Sequence, residues 1–164
     1  MLIYIIGMPL SGKTTFGKEL AEALGFNFFD TDAEIEKNAS MFIDEIFKDF
    51  GENKFRELET EVLHNLSKEK NAVIATGGGI ITNQKNELYL NTGFVIYLKS
   101  EIALLETRNK ASIKVRPLLA LRSLEELFKA RKDKYLALAD LVIDNSVNNN
   151  EIIAKILSTI GDNQ

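Results

Sequence analysis

Residues 7–14 read Gly-Met-Pro-Leu-Ser-Gly-Lys-Thr, a complete match to G-x-x-x-x-G-K-[ST]. Each fixed position has a job in holding a polyphosphate. Gly7 and Gly12 let the backbone approach closely, and successive N–H groups can point at an anion where a helix begins. Lys13 supplies a point charge for the outer phosphates, and the Thr14 hydroxyl can ligand a Mg²⁺ that neutralises more of the charge. Pro9, Leu10, Ser11 and Thr15 complete the loop and the first helical turn, so the chemistry on offer is nucleotide binding.

Further chemistry-bearing residues follow in order. Asp30 and Asp32, in Asp-Thr-Asp, sit where an apolar run gives way to a helix. One could hold Mg²⁺ through water while the other binds or deprotonates an acceptor hydroxyl, or either could simply cap the helix. Arg56 precedes Glu59 by three residues, a spacing that fixes the guanidinium's direction or makes an ordinary exposed ion pair. Thr76-Gly77-Gly78-Gly79 ends another apolar run; three glycines are costly in entropy, so either something approaches that backbone closely or it is a plain loop. Asn109 to Lys114 is polar and leads into Val115-Arg116-Pro117-Leu118-Leu119, either a lid that carries Arg116 over the phosphates or a surface loop. Arg131 falls on an apolar helical stripe, between Phe128 and Tyr135. A guanidinium facing inward needs an anion, from the protein or from a ligand. His64, the single histidine, has no nucleophile at motif spacing and reads as structural or surface.

Elements that could position these groups alternate along the chain. Leu2–Ile6, Phe26–Phe29, Ala72–Ala75, Phe94–Leu98 and Leu141–Ile143 are short continuous apolar runs, the pattern of buried parallel strands. Helical spacing appears between them: at Phe16, Leu20, Ala23 and Leu24, then at Ile35, Ile43, Ile46 and Phe47, with a second stripe at Phe55, Leu58, Val62 and Leu66. Ile102 to Arg108 is another helix. Ser123 with Glu126 makes a capping box for a helix carrying Leu124, Leu127, Phe128, Tyr135 and Leu138. Asn145 to Asn150 is a polar loop, and Ile152, Ile153, Ile156, Leu157 and Ile160 close the chain on an amphipathic helix. The alternation predicts an α/β, three-layer P-loop NTPase fold: a five-stranded parallel sheet flanked by helices, with ligands at the carboxyl ends of the strands. More chain separates the second and third strands than one crossover needs. A helical substrate-binding insertion at about residues 32–60 follows, with a lid at about 109–118, all within a single domain spanning 1–164.

Composition narrows the function further. With 45% apolar and 27% charged residues, the 164-residue chain can bury an ordinary globular core. A net charge of -4 argues against a nucleic-acid binder with a basic surface, and the absence of Cys excludes disulfides and thiol chemistry. No basic region precedes the first apolar run and no run is long enough to span a membrane, so a cytoplasmic protein with no membrane partner is expected.

Taken together, the phosphate loop, the Asp pair followed by Ile35-Glu36, Phe55-Arg56-Glu57-Leu58-Glu59, the triple glycine, Arg116-Pro117 and Arg131 closely resemble the shikimate kinase family over essentially the whole chain. That resemblance implies ATP-dependent phosphorylation of the 3-hydroxyl of shikimate, a step toward chorismate and the aromatic amino acids, by a monomer that needs Mg²⁺. It implies that Arg56 and Arg131 clamp the shikimate carboxylate, that Asp32 with Gly77, Gly78 and Gly79 binds the ring hydroxyls, and that Phe47 and Phe55 wall the pocket. Catalysis is then expected of Lys13, Asp32 and Arg116, metal binding of Thr14 and Asp30, and adenine contact of Arg108 and Asn149. Many members carry a proline before the last helix; here that stretch is Ser146-Val147-Asn148-Asn149-Asn150, and the lid has no glycine pair. Other acceptors, such as gluconate or a nucleoside monophosphate, fit the same phosphate loop. A guanine-nucleotide switch does not, because Asn53-Lys54-Phe55-Arg56 lacks the Asp of an Asn-Lys-x-Asp motif. An inactive homologue would not be expected to keep Lys13, Asp32 and all three Arg.

Overall fold

A computed structural model describes residues 1–114, 116–145 and 148–161, with the side chains of 159–161 not described. Strand β1 (Leu2–Ile6) is apolar throughout and buried on both faces, as the central strand of a parallel sheet must be. It lies between β3 (Ala72–Ala75) and β4 (Phe94–Lys99), with β2 (Asn27–Asp30) outside β3 and β5 (Leu141–Asp144) outside β4. All four pairings in the order β2-β3-β1-β4-β5 are parallel. Every loop leaving a strand's carboxyl end therefore emerges on the same edge.

Because side chains alternate along a strand, the sheet divides its apolar residues between two layers. Ile3, Ile5, Val73, Ile96 and Leu98 pack on one side, against Phe16 and Leu20 of α1 (Lys13–Leu24) and Ile152, Ile153 and Ile156 of α8 (Asn149–Gly161). On the other, Tyr4, Ile6, Ile74, Val95 and Tyr97 meet Ile35 of α2 (Thr31–Ala39), Phe55 and Val62 of α3 (Ile43–Leu66), Leu90 of α4 (Lys85–Leu90), Leu105 of α5 (Ile102–Ala111) and Leu127 of α7 (Leu124–Leu138). Fully burying a side chain such as Phe16 contributes about 1.5–3 kcal/mol, so the two layers supply most of the driving force.

The expected three layers and five strands are present, with differences that have local causes. The second strand begins at Asn27 rather than Phe26, since Gly25 closes α1 in a left-handed conformation and Phe26 still bonds back to Ala21. The helical stretch after it breaks at Ser40 and bends at Gly51, whose φ of 82° and ψ of 174° interrupt α3. That bend separates the stripe of Ile43, Ile46 and Phe47 from the stripe beginning at Phe55. Asn109 to Ala111, expected in the lid, instead extend α5. Pro117–Leu121 forms a short α6, with Pro at the first helical position, where its missing N–H costs nothing. The closing helix begins at Asn149 inside the expected polar loop. Ser146, Val147 and Val115 lie outside the described residues, as does the Ile160 side chain.

Gly93 leads into β4 where a Cβ would meet the Leu2 carbonyl oxygen at 2.7 Å and the Leu2 Cβ at 2.8 Å. Relief would require shifting the central strand's backbone. Gly93→Ala is predicted to destabilise the fold by about 1–3 kcal/mol and lower Tm by roughly 2–10 °C, read by calorimetry, with KM for both substrates unchanged in the folded fraction.

Candidate active site

At the carboxyl end of β1 the chain turns through Gly7 (φ 151°) and Gly12 (φ 88°), conformations that favour glycine. Gly12 is the N-cap of α1 and offers no side-chain acceptor, and the first turn holds no acid. Helices α2, α3 and α7 do carry acids there. The positive end of α1 is thus left for an external anion. Lys13 is buried, its ammonium donating to the Met8 carbonyl at 2.7 Å and to Ser11 Oγ at 3.4 Å. Burial pulls its pKa down to about 8, opposed by the nearby Asp32 and Asp30 carboxylates. The loop is also held from outside: Arg108 Nη1 donates to the Leu10 carbonyl at 2.8 Å, and Asn145 Nδ2 to the Ser11 carbonyl at 2.5 Å.

Of the two sequence readings of the Asp pair, helix capping is observed, and only for Asp30. Asp30 Oδ1 accepts from the N–H groups of Asp32 and Ala33 and so caps α2, while Oδ2 accepts from the Thr14 hydroxyl at 2.6 Å. Asp32, relieved of capping, has a buried Oδ1 with no hydrogen-bond partner. Burial, and then the Asp30 charge, raise its carboxyl above the usual range. Thr14 and Asp30 present hard oxygens side by side, a donor set suited to Mg²⁺, which keeps waters and substrate phosphates as its other ligands. Among the described residues no cluster of three His, Asp or Glu could hold a metal on its own.

The triple glycine lies across the cleft and its composition has a steric reason. A Cβ on Gly77 would sit 2.8 Å from both Asp32 Oδ1 and Glu59 Oε1, one on Gly78 would strike Pro9 Cδ at 2.7 Å, and one on Gly79 would collide with the Arg56 guanidinium. Arg56 and Glu59 are not the exposed surface pair that their spacing also allows. Glu59 is fully buried, its Oε2 takes Arg56 Nη1 at 2.7 Å, and its Oε1 has no partner. Burial pushes Glu59 up to about 7 against the pull of Arg56. Phe47 and Phe55 meet across the α3 bend with ring centroids 4.8 Å apart and planes tilted by 42°, forming an apolar wall, and Arg56 lies over the Phe55 ring. Arg131, buried on α7, has an Nη1 without a partner. Arg116, half-buried, is tied to Ser112 Oγ at 2.9 Å.

These groups line one cleft of about 890 Å³, large enough for two small ligands. From the phosphate loop and its surroundings, Pro9, Leu10, Gly12, Lys13, Thr14, Thr15, Arg108 and Asn149 line it. Asp32, Arg56, Gly77, Gly78, Gly79 and Arg131 line the same cleft, as do Arg116 and Phe47. Gly7 and Ser11 do not: Gly7 packs under the Leu98 carbonyl, and Ser11 is fully buried within the loop. Asn149 lies on α8, not in a loop, and its amide donates to Glu19 of α1 at 2.8 Å. Asn145, which no motif marks, also lines the cleft; its place at the carboxyl end of β5 was the available signal.

Comparison with known proteins follows the same outline. The family model for shikimate kinase matches residues 9–161. A shikimate kinase of Clostridium botulinum (strain Okra / Type B1) is 43% identical over 160 residues, covering 94% of this chain and 93% of that protein. Among solved structures, shikimate kinase from Acinetobacter baumannii in complex with shikimate superposes with a TM-score of 0.86 at 36% identity, covering 99% of this chain and 94% of that one. Shikimate kinase from Aquifex aeolicus gives 0.84 at 34% identity, covering 99% and 98%.

The depressed Lys13 ammonium generates a pH prediction. In the free protein it loses its proton through about pH 8, whereas bound phosphate favours the charged form. ATP binding should therefore take up close to one proton at about pH 9, and affinity should fall as pH rises through about 8. Calorimetry in two buffers of different ionisation enthalpy measures the uptake; none at pH 9 would remove Lys13 from phosphate contact.

Proposed function

The chain belongs to the shikimate kinase family, enzymes that use ATP to phosphorylate the 3-hydroxyl of shikimate in the chorismate and aromatic amino acid pathway, and we propose that this one does so with donor and acceptor at opposite ends of the cleft. The observation that carries the division of labour is the buried, unpartnered Nη1 of Arg131. A guanidinium so placed is costly unless an anion arrives, and the shikimate carboxylate is that anion, met from the other side by Arg56.

In this reading the triphosphate lies along the α1 N-terminus, with Lys13 on its outer phosphates. Asp32 orients the 3-hydroxyl and accepts its proton as the oxygen attacks phosphorus; its raised pKa brings it nearer to that role. Gly77 to Gly79 let Asp32, Pro9 and Arg56 close in around the acceptor, and Phe47 and Phe55 exclude water from the ring's apolar edge. Arg116 sits on the short connection between α5 and α6 and closes over the transferring group, where its charge is worth most once water is excluded. Mg²⁺, held by Thr14 and by water on Asp30, would supply charge neutralisation at the phosphates. Arg108 and Asn149 contact the adenine. Partners are the two small molecules; the acidic net charge supports a protein without nucleic-acid partners. Among the described residues no helix is long and apolar enough to cross a membrane. A monomer in the cytoplasm completes the reading.

An ADP-release assay with Mg-ATP and shikimate, gluconate, CMP or AMP tests it directly. Turnover is expected with shikimate alone. Arg131→Ala should raise KM for shikimate by roughly 30-fold or more, as expected for an unpaired buried carboxylate, while KM for ATP moves by less than about threefold. Equal changes for both substrates would remove the clamp role.

A further inference from the structure

Tyr135 is fully buried on α7, one helical turn beyond Arg131, and its ring stacks on Tyr97 of β4 with centroids 5.0 Å apart and planes 23° from parallel. Its hydroxyl donates to the Gly78 carbonyl at 2.5 Å, and the Arg131 guanidinium faces the same hydroxyl. One phenol thus joins two acceptor-facing groups that are far apart in sequence, Gly78 and Arg131. On the other side of Gly78, Pro9 of the phosphate loop leaves no room even for a Cβ.

The Gly78–Gly79 peptide has glycine on both sides, so local sterics barely restrict its rotation. Every described peptide bond is trans, and in a trans peptide the carbonyl and the following N–H point in opposite directions. Holding the Gly78 carbonyl therefore also aims the Gly79 N–H. Phenylalanine would fill the same volume and keep the stack, so packing alone does not account for the buried hydroxyl.

We propose that Tyr135 is a positioning residue for the acceptor: its hydroxyl locks the Gly78–Gly79 peptide and the Arg131 guanidinium into one unit, so that both meet the substrate already aligned. Burial raises the phenol's pKa, and the group stays a proton donor throughout the physiological range. This role rests on the reading that Arg131 and the glycine segment hold shikimate.

Steady-state kinetics with each substrate varied, on Tyr135→Phe, Tyr97→Phe and Arg131→Ala, test it. Tyr135→Phe should raise KM for shikimate about tenfold through lost alignment, with KM for ATP within about twofold and Tm lowered by roughly 2–10 °C for the lost buried hydrogen bond. Tyr97→Phe, which keeps the stack and touches neither Gly78 nor Arg131, should change neither KM. In the Arg131→Ala background, Tyr135→Phe should add clearly less than its own tenfold, because part of what it aligns is gone. A KM for shikimate within about twofold of the parent, or equal rises for both substrates, overturns the proposal. If Arg131→Ala raises KM for shikimate while Tyr135→Phe does not, only the proposal falls; if neither does, the acceptor assignment falls with it.

Discussion

Charge neutralisation in a poorly solvated cleft is the constraint on which the rest of this structure depends. Lys13 and Arg131 are both buried, and near them lie the carboxyls of Asp32 and Glu59, each with an oxygen that no protein donor satisfies. None of these groups would be stable alone in an apolar interior. They persist because each sits in the field of the others: Lys13 is supported by Asp32 and Asp30, and Glu59 by Arg56. In the function proposed above, the ligands complete what the protein leaves unfinished, with phosphates for Lys13, a carboxylate for Arg131 and hydroxyls for the open carboxylate oxygens. Binding energy is thereby concentrated on groups whose satisfaction requires both substrates.

The scaffold follows from that need. A site with so many charges must be reached from several elements, and a parallel sheet delivers β1, β2 and β3 to the same edge with loops free to diverge. Gly51 then turns α3 so that Phe47 and Phe55 face one another instead of lying along one helix surface. Without that bend, Arg56 and Glu59 would continue the line of the first arm rather than enter the cleft.

Much of this was legible in residue order. The phosphate loop declares itself because its chemistry is carried by backbone and spacing, and the strands declare themselves because parallel sheets bury both faces. What pattern could not decide was environment. Arg56 and Glu59 have the same spacing whether they lie in water or under Phe55, and only tertiary packing makes the pair an interior one. Asp30 and Asp32 compete for the same roles on paper, and one capping geometry separates them. The Tyr135 hydroxyl was hidden because its residue also served the helix's apolar stripe, and one label concealed two functions. Asn145 and the helical start at Asn149 escaped for a plainer reason, since polar residues there read equally well as loop.

Adjacency of β1 and β3 has a consequence for how the enzyme can vary. The loop after β1 carries the phosphate donor site and the loop after β3 carries the acceptor's glycines, and the two strands are hydrogen-bonded neighbours, Ile5 beside Ala75. Their separation is set by the ladder itself, about 4.8 Å, and not by any side chain. In the proposed reading, substitutions elsewhere retune which acceptor is held and how tightly, while the spacing at the base of the two loops is a property of the backbone. The sheet acts as a ruler for where the two loops begin.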